Sequence, residues 1–379
     1  MTQRLNHSTI CTLLLSLALS ACATQATPPA TASGPATQVV EPTTKPAAAS
    51  SEALLPTVPQ PPERPVAPAS VTDPALSQEQ RIAAFVEYTA TTYGVDRQYI
   101  RDTLAQAEYK QSIIDAINRP AEKVKPWSEY RPIFMTDARI DGGRAFYAEN
   151  RSALDRIAAQ TGVPAEYVVA IIGVETSYGR ITGNYRVLDA LYTLAFSHPR
   201  RAPFFAGELA QLFALTKEEP QLDILTIKGS YAGAMGMGQF MPSSYRNWAR
   251  DGDGDGRRDL FTHKPDVFAS IANYFVVHGW QRDGAVAARA VRSADAVDFK
   301  PDSLDPVYPL AALAQRGYRP KPGQPTAEGA TLLTYDGDAG KEYWLGYRDF
   351  YVITRYNHSP MYAMAVYQLA QAIARKPAP

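Results

Sequence analysis

Cysteine is almost missing from this chain: in 379 residues only Cys11 and Cys22 carry a thiol, and both lie at the extreme N-terminus. A disulfide scaffold, a cysteine nucleophile and cysteine-ligated zinc are therefore excluded from the rest of the sequence. Net charge is missing too, since 38 Lys and Arg balance 38 Asp and Glu. Without a basic excess, bulk charge does not recruit a polyanion, and nucleic acid is not expected as a partner. His198, His263, His278 and His358 show no HExxH or other paired spacing, which argues against zinc chemistry. The longest early apolar run, Ile10 to Leu19, is too short to span a bilayer as a helix, and no internal repeat is visible.

That run follows Arg4 and has the length of the apolar region of a secretory signal. It ends in Leu19-Ser20-Ala21-Cys22, which resembles a bacterial lipobox, the motif whose Cys becomes lipidated and N-terminal. An ordinary signal cut at a small residue is the alternative, but a Cys at the cleavage point favours lipidation. Ala23 stands where an Asp would retain such a lipoprotein in the inner membrane, so the outer membrane is expected. Residues 1–22 thus read as signal and lipobox, with Cys22 the lipidation site. Residues 23–75 are rich in Ala, Pro, Thr and Ser and read as a flexible tether, because they lack the apolar surface that would offset ordering entropy.

Folded sequence is expected from residue 76. Ser77 with Gln80 can cap a helix through Thr91, and Asp96 can start another from Arg97 to Gln106. A long amphipathic helix is predicted from Gly143 to Thr161. Val163-Pro164 then opens the most apolar helix, Ala165 to Glu175, which has no polar face and should be core on all sides. Further helices are expected at Arg201 to Thr216, Ser243 to Arg250, Val267 to Val277 and Met361 to Arg375. Between 285 and 350 the chain changes character. Gly, Pro and Asp punctuate β-rich pieces at 331–335 and 342–345, with another at 350–354, which reads as a small antiparallel sheet inserted into a helical protein. The class is α+β, mainly helical.

The sharpest chemical feature is Gly173-Val-Glu175-Thr-Ser-Tyr-Gly-Arg180, a carboxylate directly after a buried apolar helix. Desolvation raises a carboxyl pKa, and a Glu protonated near neutrality can act as general acid on a glycosidic oxygen. A helix-end Glu neutralised by an Arg is the commoner reading of such a residue taken alone. The Gly-rich block from Gly229 to Gly238 lacks the Lys-Ser/Thr ending of a phosphate loop and the spacing of a dinucleotide fingerprint. A second local motif is Asp251-Gly-Asp253-Gly-Asp255-Gly256-Arg257, with carboxylates at positions 1, 3 and 5 and Gly at 6 of an EF-hand loop. Position 12 is Thr262, so the usual bidentate Glu is missing.

The segment Ile171-Ile-Gly-Val-Glu-Thr-Ser-Tyr-Gly-Arg180 resembles the catalytic-Glu motif of the membrane-bound lytic murein transglycosylase B family. The likeness continues, in that family's order, through Leu188-Asp-Ala-Leu191, Pro199-Arg-Arg201, the block from Lys228 to Tyr245, Ala272-Asn-Tyr-Phe275 and Ile353-Thr-Arg-Tyr-Asn-His358. It implies a lysozyme-like catalytic core at 151–284, a helical lobe at 76–150, a small β lobe at 285–350 and a segment 351–379 that returns to the core. It also implies a lytic transglycosylase in which Glu175 is the single acid and base, cleaving the MurNAc-β-1,4-GlcNAc bond of peptidoglycan with formation of 1,6-anhydro-MurNAc. By the same resemblance Ser230 and Gln239 meet the scissile sugars, and Tyr130, Tyr274, Tyr356, Asn357 and Tyr362 belong to the glycan groove. Arg200 and Arg201 would meet lactyl or peptide carboxylates, while Phe204 stands where the family has a Tyr. The loop 251–266 would hold a structural Ca2+ through Asp251, Asp253, Asp255, the Arg257 carbonyl and Asp266. No cofactor is implied for catalysis. The implied partner is the peptidoglycan glycan strand, at the periplasmic face of the outer membrane, with the Cys22 lipid in the bilayer. Two rivals stand beside this reading: a hydrolytic muramidase using Asp189, and a non-catalytic, calcium-stabilised wall-binding lipoprotein.

Overall fold

The computed structural model describes residues 54–59, 64–119 and 125–375; the signal region, Cys22 and the first part of the tether lie outside them. Helices come first: α1 (Ala69–Thr72), α2 (Gln78–Tyr93), α3 (Arg97–Leu104), α4 (Gln111–Asn118), α5 (Trp127–Phe134), α6 (Asp137–Glu149), α7 (Arg151–Thr161) and α8 (Ala165–Thr176). After a two-residue strand β1 (Tyr185–Arg186) follow α9 (Val187–Ser197), α10 (Ala202–Glu218), β2 (Lys228–Gly229), α11 (Pro242–Trp248) and α12 (Lys264–Val277). The sheet region then runs β3 (Ala287–Arg292), β4 (Tyr308–Pro309), α13 (Leu310–Gln315), β5 (Tyr318–Pro320), β6 (Gly329–Gly337) and β7 (Gly340–Gly346). Two helices close the chain, α14 (Arg348–Tyr356) and α15 (Pro360–Ala374).

Local chemistry explains several boundaries. The hydroxyl oxygen of Ser77 accepts from Gln80 N and Ser77 N donates to the Gln80 side chain, a reciprocal capping box that starts α2. Asp96 caps α3 through Tyr99 N at 2.8 Å. Pro164 precedes α8, whose residues Tyr167 to Val174 are all buried, as expected for a helix with no polar face. It packs on α15, α6 and α7 and forms the centre of the main core.

The five strands from β3 to β7 form an antiparallel sheet in the order β4-β6-β7-β3-β5. Leu333 lies opposite Trp344 and Ala288 opposite Leu345. The sheet has a core of its own around Leu313, Tyr318, Leu332 and Leu345. Among the described residues no single helix is long and apolar enough to cross a membrane.

Three expectations change. The predicted helix from 143 to 161 is two helices, broken at Asn150, whose side-chain amide donates to Phe146 O at 2.7 Å and so competes with helix continuation. Residues 350–354, read as a strand, belong to helix α14. Burial of Phe350, Val352 and Ile353 in the main core outweighs the β preference of their side chains. The tether expected over 23–75 is ordered in its described last part: Val58, Ala67 and Val71 are buried, and α1 packs on α2 and α10.

Candidate active site

The C-terminus of α8 places the candidate acid. Glu175 sits in the last turn, and the chain leaves through two left-handed residues in succession, Ser177 at φ 50° and Tyr178 at φ 64°. Such conformations cost on the order of 1–3 kcal/mol each for a side chain other than Gly, and persist only where surroundings hold them. Here Tyr178 is held. Its hydroxyl donates to Arg139 O at 2.7 Å, and its ring fills the space where a Cβ on Gly173 would approach to 2.7 Å. Thr176 completes the clamp, its hydroxyl bonded to Met237 O at 2.9 Å and accepting from Gly179 N at 3.0 Å. That bond fixes the helix end to the Gly-rich loop.

The Glu175 carboxylate accepts from the Tyr362 hydroxyl at 2.5 Å. Desolvation is the larger influence and pushes its pKa up to about 7, while the Tyr362 bond pulls the other way. Near neutrality the group therefore populates both the acid and the base form. Tyr130 lies behind, buried on Trp127 and Phe134; burial first, and the nearby Glu175 charge second, raise its pKa.

Close backbone packing shapes the Gly-rich loop. A Cβ on Gly183 would come within 2.1 Å of Gly229 O, and one on Gly229 within 2.2 Å of Ala234 O, so both positions require glycine. Gln239, at φ 53°, donates its amide to Thr182 O and Gly236 O, both at 3.0 Å, which leaves the side-chain oxygen as an acceptor on the cleft. The Ser230 hydroxyl oxygen accepts from Ala232 N and Ala234 N at 3.3 and 3.0 Å. It braces the turn, and the residue is not among those lining the cleft.

Across from the loop the end of α14 supplies Tyr356, whose hydroxyl donates to Gly238 O at 2.6 Å, followed by Asn357 and His358. Tyr274 of α12 donates to Arg355 O at 2.7 Å and lies 4.8 Å from the Tyr356 ring. Glu175, Gln239, Tyr274, Tyr356, Asn357 and Arg201 thus line one cleft. Tyr130 and Tyr362 are packed behind Glu175, and Arg200 is exposed outside the cleft. Arg201 turns inward over the rings of Phe204 and Phe205, 4.7 and 5.0 Å away. Burial, aided by the charge of Arg64, holds it below the usual guanidinium range at about 10. Arg64, Phe240, Met241 and Ser244 also line the cleft and were not singled out from the sequence. Only the Gly-rich block, which contains or adjoins the last three, offered a signal for them.

Among the described residues lining the cleft, Glu175 is the only carboxylate. Asp189, the rival second acid, is buried elsewhere, 2.6 Å from Arg186 and accepting from Glu108 N.

The acidic loop is wound as its sequence suggests. Asp251 accepts from the backbone of Asp253, Gly254 and Gly256, and carboxylate oxygens of Asp251, Asp253 and Asp255 lie within 4.8 Å of one another. Asp266, in the first turn of α12 and 1 % exposed, accepts from Gly252 N at 2.8 Å and Asp259 N at 2.7 Å, which ties the loop ends together. Its carboxylate also groups with Asp253 through His263, a neighbour the sequence reading passed over.

Comparison with known proteins finds relatives over most of the folded chain. The model of the transglycosylase SLT domain matches residues 77–371. The membrane-bound lytic murein transglycosylase B of Escherichia coli (strain K12) is 42 % identical over 299 residues, 76 % of this chain and 81 % of that protein. Soluble lytic transglycosylase SltB1 from Pseudomonas aeruginosa is 46 % identical with a TM-score of 0.72, over 78 % of this chain and 98 % of that one. Lytic transglycosylase Slt35 of Escherichia coli in complex with calcium is 40 % identical with a TM-score of 0.71, over 80 % and 95 %. SltB3 from Pseudomonas aeruginosa in complex with NAG-anhNAM-pentapeptide is 30 % identical with a TM-score of 0.70, over 78 % and 80 %. With one half-buried acid among the described residues of an aromatic cleft and this likeness across the folded chain, the protein belongs to the transglycosylase SLT domain family, as a lysozyme-like lytic transglycosylase that cleaves peptidoglycan.

Proposed function

We propose that Glu175 carries out both proton transfers of a non-hydrolytic cleavage. As the acid it protonates the oxygen linking N-acetylmuramic acid to N-acetylglucosamine, and the bond from C1 of the muramoyl residue to that oxygen breaks. As the carboxylate it then takes the proton of the muramoyl C6 hydroxyl, whose oxygen bonds to C1 and closes the 1,6-anhydro ring. No water is consumed, and Glu175 ends protonated, as it began. The single observation that carries this reading is that Glu175, with a pKa raised to about 7, is the one carboxylate among the described residues lining the cleft. Glycosidases that use water or a covalent intermediate ordinarily need two carboxylates, whereas an internal nucleophile removes that need. The bound anhydro sugar of the SltB3 complex is in keeping with such a product.

In this reading Gln239, Asn357 and Tyr356 meet the neutral amide and hydroxyl groups of the sugars, and Arg201 meets a carboxylate. Tyr362 orients the Glu175 carboxyl, while Tyr274 forms part of the cleft wall, Tyr130 supports it from behind and Ser230 holds the Gly-rich turn. Arg200 has no place in the cleft and is assigned none. Mass spectrometry of products released from purified sacculi tests the chemistry: anhydro-muramoyl ends are expected, and reducing muramic acid ends alone would sink it.

The acidic loop fits a calcium ion through the carboxylates of Asp251, Asp253, Asp255 and Asp266 with the Arg257 carbonyl, an all-oxygen set suited to a hard cation. Its role is structural, since the loop joins the start of α12, which carries Tyr274. Lipidation at Cys22 would hold the enzyme at the periplasmic face of the outer membrane, in keeping with the membrane-bound relative. Fractionation tests this: Cys22→Ala should move the enzyme from the membrane to the soluble fraction.

A further inference from the structure

The segment ahead of the family domain lies across the catalytic face. Leu55 N donates to Val307 O at 2.7 Å beside the sheet, and Val58 is buried near Gly279 at the end of α12. Further on, Arg64 lines the cleft that holds Glu175, with its guanidinium 6.0 Å from the Phe204 ring centre. The chain is then pinned on α10. Pro65 O crosses Gly207 so closely that a Cβ there would stand 2.4 Å away, and Ala67 N donates to Pro203 O at 2.9 Å. Both anchors fix the backbone directly after Arg64.

Two guanidiniums, Arg64 and Arg201, therefore face one cleft, each near the Phe204 ring. Like charges so placed repel, and neither forms an ion pair with a carboxylate among the described residues. One nitrogen of Arg201, Nη1, is buried without a hydrogen-bond partner among them. Glu208, the acid that senses Arg64, is itself buried and already accepts from Ser243 N and Ser243 Oγ. A pair of guanidinium forks with no carboxylate partner among the described residues, in a partly desolvated cleft, is a site for an anion, and carboxylate is the anion that matches the fork.

We infer that Arg64 and Arg201 form a carboxylate clamp on the substrate cleft, to which the segment preceding the family domain contributes Arg64 as a specificity-determining residue. The clamp rests on the proposed glycan reading and adds to it a preference among glycans. The carboxylate has two sources in peptidoglycan, the free lactyl group of a peptide-free muramoyl residue and the carboxylates of a stem peptide. Arg64 lies outside residues 77–371, so the leading segment supplies one half of the clamp and the matched domain, through Arg201, the other.

Full-length protein carrying Glu175→Gln provides a non-turning-over binder. Its affinity is compared for chitotetraose, which has no carboxylate, for peptide-free glycan strands and for peptide-bearing strands, with and without Arg64→Ala. Loss of one charge-assisted contact should weaken binding of a carboxylate-bearing ligand roughly tenfold relative to chitotetraose, about 1.4 kcal/mol. The strand type that loses more identifies the source. Arg64→Lys should recover part of the loss, and in the active enzyme Arg64→Ala should raise KM more than it lowers kcat. Gly207→Ala, which evicts Pro65 without touching a guanidinium, should reproduce the loss. An equal effect on chitotetraose, no effect on any ligand, or tighter binding of all three, as expected if the segment merely blocks the cleft, would overturn the clamp. Failure of the parent protein to bind any glycan would instead count against the glycan reading itself.

Discussion

The Tyr362 hydroxyl reaches the Glu175 carboxylate at 2.5 Å from a helix 187 residues further along the chain. The bond opposes the desolvation that raises the Glu175 pKa, so the two influences set where the acid titrates. Tyr362→Phe removes the opposing influence alone. The pKa should then rise above about 7, and activity, which requires the protonated acid in the first step, should persist to higher pH. A pH profile of kcat/KM checks this; a descending limb that stays in place or moves to lower pH contradicts it.

Glu175→Gln should abolish turnover on sacculi while sacculus binding is kept, because the amide preserves shape and cannot deliver the proton. The same substitution bears on stability. The folded-state pKa of Glu175, about 7, lies above its ordinary value of 4.5, so the folded protein holds this proton more tightly than the unfolded chain. Its contribution to stability is complete below about pH 4.5, erodes as pH rises, and is lost above about 7. Thermal melts should therefore show Glu175→Gln gaining on the parent by a few degrees between those limits; a gap that shrinks with rising pH would refute the assignment.

Gly173 and Tyr178 form a packing lock under the acid, since a Cβ at 173 would meet the Tyr178 ring at 2.7–2.8 Å. Gly173→Ala should cost roughly 1–3 kcal/mol by overpacking and lower kcat through displacement of the left-handed turn. Denaturant melts of Gly173→Ala, Tyr178→Ala and the double variant check this. The two costs should be sub-additive, because removing the ring relieves the clash.

Chelation should lower the melting temperature if the acidic loop holds calcium. At free calcium about 100 times its Kd, the ion adds about 2.7 kcal/mol to the folded state. Asp255→Asn, on an exposed residue that only shapes its own turn, should remove much of the calcium response and leave the chelated protein nearly unchanged. Asp266→Asn should lower both melts, because its two oxygens join the loop ends without any ion. Identical melts with and without calcium would refute the site.

Legibility followed physical cause. Helix α8 was readable because a helix buried all round leaves an unbroken apolar run ending at Glu175. Helix α14 was not: Phe350-Tyr-Val-Ile-Thr354 favours a strand locally, and its burial against the main core is a long-range effect. The break at Asn150 turns on one side-chain bond, which periodicity does not register. Arg200 and Arg201 are adjacent and alike in sequence, yet only one turns toward Phe204 and Phe205. The leading segment read as tether because its anchors are small. Val58, Ala67 and Val71 offer little apolar mass, and their order depends on a glycine on α10 and a turn beside the sheet.

Helix α12 carries Asp266, which closes the acidic loop, in its first turn, and Tyr274 two turns later at the cleft. If the acidic loop holds calcium and Tyr274 meets the glycan, one rigid element belongs to two sites, and thermodynamic reciprocity binds them. Whatever factor calcium adds to glycan affinity, glycan adds to calcium affinity. An enzyme loaded on its polymer would then retain the ion at concentrations where the idle enzyme releases it.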